Sequence, residues 1–278
     1  MDISVLGGLA VRENGVSITP TAPKPRQVLA MLALHADQVV SVSALTEELW
    51  GAEPPRSARA TLQTYVLQLR EMIGAALERD REDAAPRSVK DVLVTVPGGY
   101  LLNTSGGASD VREFERLAGL GYRAMDAGDF PGAARQLGEA LSLWTGAALA
   151  DVQAGAQLSM ETRRLEETRL CALDQRIEAD LRLGRHRELL GELSVLVSRY
   201  HTHETLHGQF MLALHRSGRR TEALEAYQRL RRALVRELGL EPSVVLRRLQ
   251  RSILMAGPEP AQDASLSAHG GERAVRVG

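Results

Sequence analysis

Aromatic residues are scarce. They make up 4% of the 278 residues, as five tyrosines, three phenylalanines and two tryptophans. Cores must then be built from Leu, Ala and Val, which favours helices over β-sandwiches. Cysteine is nearly missing: Cys171 stands alone, so no intramolecular disulfide can form and no cysteine-based zinc site is available. Long apolar runs are missing as well, since none approaches the roughly 18 residues that a membrane span needs. The opening segment MDISVLGGLAV is too short and too uncharged for a secretory signal. A cytoplasmic protein without membrane contact is expected. Finally, there is no excess of basic charge. Residues 1–109 hold ten Lys/Arg against twelve Asp/Glu, and the whole chain carries a net −1. Bulk charge therefore does not draw this chain to nucleic acid, and any such binding must use a local basic face.

What is present suffices for two domains with cores of their own. Residues 3–6, 9–12 and 16–18 read as short strands, the last two joined by Asn14-Gly15, a strong hairpin signal because both turn residues need positive φ. Pro25 suits a helix start, and Val28, Leu29, Leu32 and Ala33 carry a helical period to about His35. Ser43 is the expected N-cap of a second helix with Leu45, Leu49 and Trp50 on its apolar side. Gly51 and Pro54-Pro55 end it, and a third helix follows over about 56–73. The charged, proline-containing stretch 78–91 reads as an exposed loop. Residues 92–96 and 100–102, joined by Pro97-Gly98-Gly99, read as a β-hairpin, and 103–109 as a polar linker.

From Asp110 the period is helical throughout. Asp110 and Glu113 have the spacing of a capping box. Gly128-Asp129-Phe130 with Ala133 recurs as Gly184-Arg185-His186 with Leu189 and as Gly218-Arg219-Arg220 with Ala223. The last two copies start 34 residues apart, the tetratricopeptide period, with the glycine turning one helix into the next. The expected fold class is mainly α: an N-terminal winged helix-turn-helix with small β elements, then an all-helical tetratricopeptide-like domain. After Gly257 the chain is rich in Pro, Ala, Gly and Ser and reads as a disordered tail.

The third helix carries the functional signal. Leu62, Val66, Leu69 and Ile73 fall on one stripe, the expected core face. The other side shows Ser57, Ala60, Thr64 and Leu67, flanked by Arg56, Thr61, Gln63 and Gln68. Small residues allow close approach to base edges, amides and hydroxyls can hydrogen-bond them, and Leu67 or Ala60 can meet a thymine methyl. Arg56, Arg59 and Arg70 lie toward the sides, where phosphates would be, with Lys24 and Arg26 as further phosphate contacts. The plainer reading of such a face is solvated helix surface. Its context argues otherwise: strands, three helices and a glycine-tipped hairpin within about 100 residues are the order of a winged helix.

Residues 24–102 resemble the OmpR-type winged helix. Leu62-Gln63-Thr64-Tyr65-Val66 with Leu69-Arg70, followed by Val96-Pro97-Gly98-Gly99-Tyr100 with Leu102, is similar to the pattern of the Streptomyces antibiotic regulatory protein (SARP) family. Trp144-Thr145-Gly146 with Leu149, the segment 176–180, the segment 209–214 and Glu237-Leu238-Gly239-Leu240-Glu241-Pro242-Ser243 resemble that family's bacterial transcriptional activation domain. The resemblance implies sequence-specific binding to direct repeats in double-stranded DNA, by two protomers together. It also implies recruitment of RNA polymerase holoenzyme to antibiotic or other secondary-metabolite genes, hence a nucleoid-associated location. The third helix would read the major groove, and the hairpin near Tyr100 would contact the backbone or minor groove. Relatives usually carry Ser-Arg where this chain has Leu67-Gln68, which removes one cation from the reading helix.

The expected division is 1–105 for DNA binding, 110–256 for activation and 257–278 for the tail. An alternative is a tetratricopeptide-like adaptor whose winged helix binds only protein. An enzyme is disfavoured: neither the phosphate-binding G-x-x-x-x-G-K-[ST] pattern nor the nucleophile-elbow G-x-S-x-G occurs. No cofactor and no metal are expected. His201, His203 and His207 cluster without a fixed further ligand and are read as the start of a repeat helix. Cys171, within Leu170-Cys171-Ala172-Leu173, is read as a small buried hydrophobe, and Glu47-Glu48 and Glu166-Glu167 as solvated surface.

Overall fold

A computed structural model describes residues 1–78 and 87–256, so the expected tail after 257 and the middle of the charged stretch 78–91 lie outside the described residues. Two units form, Met1–Arg185 and His186–Gly278.

The first unit begins with an antiparallel sheet in the order β1 (Asp2–Ser4), β2 (Ala10–Glu13), β3 (Val16–Ser17). Asn14 and Gly15 turn the hairpin with φ of 50° and 74°, as Asn-Gly requires. Ile3 and Val11, paired across the strands, send their side chains into the core, where Ile18 joins them. Then come α1 (Pro23–Leu34), β4 (Val39–Ser41), α2 (Val42–Trp50) and α3 (Ala58–Glu78). The cap of α2 is Ser41, whose side chain accepts from the Ala44 amide, and not Ser43, which lies inside the helix. A short helix α4 (Val89–Val92) forms within the expected loop, opened by a capping box of Ser88 and Asp91. It leads into β5 (Leu93–Val96) and β6 (Gly99–Leu102).

The wing sheet has the order β4-β6-β5, with Val40 opposite Tyr100 and Thr95 opposite Tyr100 on the other side. Gly99 is obligatory there: a Cβ would stand 2.5 Å from the carbonyl oxygen of Val40. The segment after β6 is not the loose linker its polar composition suggests. Thr104 is buried, and its amide and hydroxyl both donate to Asp37, which Arg112 also grips. Burial works against the Asp37 carboxylate, but the Thr104 amide and hydroxyl and the Arg112 guanidinium hold its pKa below the usual range.

The same unit continues with α5 (Asp110–Asp126), α6 (Phe130–Ser142) and α7 (Ala156–Arg182), α6 packing between the other two. Ser109, not Asp110, caps α5. Asp110 instead reaches back to the N-terminal strand, its Oδ2 accepting from the amides of Val5 (2.7 Å) and Leu6 (2.8 Å). One continuous core runs from Ile3 and Val28 through Leu62 and Leu102 to Phe114, Leu137 and Leu165.

The second unit holds α8 (His186–Arg199), α9 (Glu204–Arg216), α10 (Arg220–Leu238) and α11 (Val244–Met255), with α9 packed on α8, α10 and α11. The three repeat glycines, Gly128, Gly184 and Gly218, all have φ between 73° and 80°. The fifth residue after each, Ala133, Leu189 and Ala223, is buried, as close helix packing needs. His201 bonds Glu237, His203 caps α9 through the Leu206 amide, and His207 is buried within that helix. Cys171 is exposed, contrary to the reading from its apolar neighbours, because it sits on the outer side of α7 while Ala172 takes the inward position.

Candidate nucleic-acid interface

Helix α3 is held from behind. Ala58, Leu62, Val66, Leu69, Ile73 and Ala76 are all buried, a stripe at three- and four-residue spacing against α1 and α2. This fixes its other side outward. Arg56 and Ser57 in the preceding turn, and Arg59, Ala60, Gln63, Thr64, Leu67, Gln68 and Glu71 on the helix, are exposed. Thr61 is half-buried at the edge of that surface. Thr64 donates its hydroxyl to the Ala60 carbonyl at 3.1 Å, which leaves an acceptor lone pair and a methyl group on the surface. The first turn has no acidic residue, so the positive end of the helix dipole and the Arg56 and Arg59 guanidinia act together on an approaching anion. Neither arginine makes an ion pair among the described residues.

The other expected contacts occupy different ground. Arg70 is half-buried and donates to the Leu93 carbonyl at 2.8 Å and the Thr95 hydroxyl at 2.7 Å, tying α3 to the wing. Lys24 donates to the Leu49 carbonyl near the C-terminal end of α2. Arg26 binds the carbonyls of Pro20 and Leu9 and pairs with Asp151. Tyr100 is 7% exposed; the hairpin presents Pro97 and Gly98 at its tip, and the Gly98 carbonyl accepts from the Val42 amide at the start of α2. The structure thus brings Arg56, Ser57, Arg59, Thr61, Gln63, Thr64 and Gln68 together on one surface, and places Lys24, Arg26, Arg70 and Tyr100 among internal partners.

Two residues that matter here escape the sequence reading: Glu71 is not singled out, and Glu48 is read as solvated surface. Glu71 lies one turn beyond Leu67 on the exposed face, where a carboxylate accepts from a cytosine amino group and repels phosphate; continuing the helical wheel past Leu67 would have found it. Glu48 is not solvated surface. It is 3% exposed and accepts from the Gln27 amide (2.8 Å), the Gly155 amide (2.5 Å) and the Leu158 amide (2.9 Å). The carboxylate thereby caps α7 from α2, fixing the helix-turn-helix on the helices that follow it.

Comparisons with known proteins agree with this architecture. The family model "Transcriptional regulatory protein, C terminal" matches residues 17–90, and "Bacterial transcriptional activator domain" matches 109–254. Regulatory protein DnrI of Streptomyces peucetius is 53% identical over 258 residues, covering 93% of both chains. Regulatory protein AfsR of Streptomyces coelicolor is 36% identical over 95% of this chain, which spans only 25% of that relative. The solved structure of Mycobacterium tuberculosis EmbR in complex with a low-affinity phosphopeptide superposes with a TM-score of 0.81 at 32% identity, covering 91% of this chain and 64% of that one.

An OmpR-type winged helix joined to a bacterial transcriptional activator domain defines a transcriptional regulator. The chain belongs to the Streptomyces antibiotic regulatory protein family. Relatives bear the names of regulators, not of enzymes. Among the described residues no helix is long and apolar enough to cross a membrane.

Proposed function

We propose that this protein is a sequence-specific activator that lays α3 in the major groove of promoter DNA and recruits RNA polymerase holoenzyme to genes of antibiotic or other secondary-metabolite biosynthesis. The observation that carries the reading is the outward face of α3: small and amide-bearing at its centre, cationic at its N-terminal end, and held rigid by six buried residues behind it. Gln63, Thr64 and Gln68 contact base edges, while Arg56, Ser57 and Arg59 contact phosphates. Arg70, Lys24 and Arg26 hold the scaffold, and the hairpin approaches the backbone through the tip beside Tyr100. Two protomers bind head-to-tail on direct repeats about one helical turn apart or a multiple of it, so that both reading helices face the same side. Residues 1–105 supply base reading, and residues 110–256 supply activation and protomer contact. The protein then works in the cytoplasm, at the nucleoid.

The test is a mobility-shift titration on promoters of the protein's own gene cluster. Gln63→Ala or Thr64→Ala is expected to cost about 1–3 kcal/mol on the cognate site and little on random DNA. Equal losses on both DNAs would remove base reading from these residues. An inserted half-turn between the repeats is expected to abolish cooperative binding, and equal binding to an inverted arrangement would overturn the head-to-tail model.

A further inference from the structure

Leu67 is the anomaly of the α3 surface. It is 56% exposed, and no other large apolar residue of this helix is exposed. It contributes nothing to the core stripe behind it, and it stands among Gln63, Thr64, Gln68 and Glu71. Ala60, Thr64 and Leu67, at i, i+4 and i+7, share one line along the helix. Because the Thr64 hydroxyl is turned onto the Ala60 carbonyl, its methyl group extends that line. The result is an apolar strip about two turns long, set into a surface otherwise made of amides, a carboxylate and guanidinia.

The only apolar group that a base pair displays in the major groove of unmodified DNA is the 5-methyl of thymine. We infer that Leu67, backed by Ala60 and the Thr64 methyl, is a specificity-determining residue that packs on a thymine 5-methyl group in each half-site. The neighbouring amides fit the same assignment. Gln63 and Gln68 flank Leu67, and a glutamine amide pairs bidentately with adenine N6 and N7, the edge presented by the partner of thymine. The central positions of the strip carry no guanidinium, the group that reads guanine. Leu67 therefore supplies base discrimination without a hydrogen bond, through desolvation of one methyl group.

The inference rests on α3 being the major-groove reader, and the test separates the two. The full chain is first footprinted on its promoter. Each thymine in the protected half-sites is then replaced singly by deoxyuridine, which deletes only the 5-methyl and keeps every hydrogen-bonding group. One thymine per half-site is expected to be sensitive, with affinity falling about fourfold, the value of one buried methyl-sized group. Leu67→Ala is expected to bind the thymine site at the level of the deoxyuridine site and to lose the sensitivity. Leu67→Met, which keeps an apolar side chain, is expected to retain it. Tolerance of deoxyuridine at every protected position, a protected site with no thymine, or the same loss in Leu67→Ala would overturn the inference while leaving the winged-helix reading intact. Absence of any protected footprint would overturn both. The deoxyuridine series uses the unaltered protein, so tolerance at every position overturns the inference whatever the substitutions do to folding, and the Leu67→Ala and Leu67→Met pair assigns a sensitive methyl to Leu67.

Discussion

The carboxylate of Glu48, on α2, accepts the backbone N–H of Leu158 at 2.9 Å across 110 positions of sequence. Its other oxygen accepts from Gly155 and from the Gln27 side chain. A charged group this deeply placed persists because every donor around it is matched, and because it sits at the positive end of α7. Glu48→Ala leaves the backbone amides of Gly155 and Leu158 without an acceptor in a buried place, while the Gln27 side chain keeps only the Glu48 carbonyl. It is expected to destabilise the protein by about 3 kcal/mol, and Glu48→Gln by less, since the carboxamide keeps one acceptor oxygen. Denaturant unfolding of the full chain measures both. Changes under about 0.5 kcal/mol, the range of an ordinary surface substitution, would mean that water replaces the carboxylate.

The same contacts bear on where the chain can be cut. A 1–105 fragment loses the Asp110 carboxylate that binds the Val5 and Leu6 amides, the Asp151 carboxylate that binds the Leu9 amide, and both α7 amides that bind Glu48. It also exposes apolar residues of a core that continues into Phe114 and Leu137. A division of labour at residue 105 is therefore not a division of folding. A 1–185 fragment is expected to melt cooperatively. The 1–105 fragment is expected to keep its sequence preference with reduced stability and affinity, and to fail in run-off transcription with purified RNA polymerase. Circular dichroism melts of the two fragments check the first part. Equal stability would show that these long-range contacts add nothing, and full activation by 1–105 would remove the activation role from the later helices.

How much of this was legible in the sequence follows from how local each signal is. The buried stripe of α3 and the glycine-tipped wing announce themselves through period and turn chemistry, which involve only near neighbours. Strand β4 does not, because Val39-Val40-Ser41 is three residues long and becomes a strand only by pairing with β6. Ser41 and Ser43 are equivalent candidates until the pairing of β4 decides where the chain turns helical. Glu47 and Glu48 are chemically identical neighbours about 100° apart on a helix, and only the distant N-terminus of α7 distinguishes them. The same limit applies to the cations: Arg26 and Arg56 look alike in sequence, yet Arg26 meets Asp151, 125 positions away.

That difference between the arginines is measurable through salt. Arg56 and Arg59 stand exposed beside the N-terminal end of α3, whereas the Arg26 guanidinium is occupied by two carbonyls and a carboxylate. Each phosphate neutralised contributes about 0.9 to the log–log slope of affinity against salt. Replacing Arg56 and Arg59 together by alanine is expected to flatten the slope by about 2, with the melting temperature unchanged. Arg26→Ala is expected to lower the melting temperature and leave the slope as it was. The opposite pattern, stability lost at Arg56 and Arg59 and slope lost at Arg26, would reassign the phosphate contacts to the start of α1.

The second unit carries a pH dependence of its own through His207, which is 4% exposed on α9. Burial first, and then the charge of Arg229, push its pKa down from 6.5 to about 4, outweighing the backbone partners Val197 and His201. The folded protein thus keeps the ring neutral, while the unfolded chain takes up a proton below about pH 6.5. Since the unfolded state binds more protons in this window, stability rises with pH. The contribution is complete above about pH 6.5 and drains away as pH falls toward about 4. At pH 5 the loss relative to neutral pH is about 2 kcal/mol. Asp110 acts with the opposite sign in the first unit: burial raises its pKa despite the amides of Leu6 and Val5, which favours the folded state as it protonates. A wild-type curve therefore mixes the two effects, and a paired comparison isolates the histidine. His207→Leu fills a similar volume and cannot take a proton. Full-chain melts at pH 7.5 and pH 5.0 are expected to show a smaller fall in the variant than in the wild type. An identical fall in both would place the proton uptake on another group and return His207 to a purely packing role.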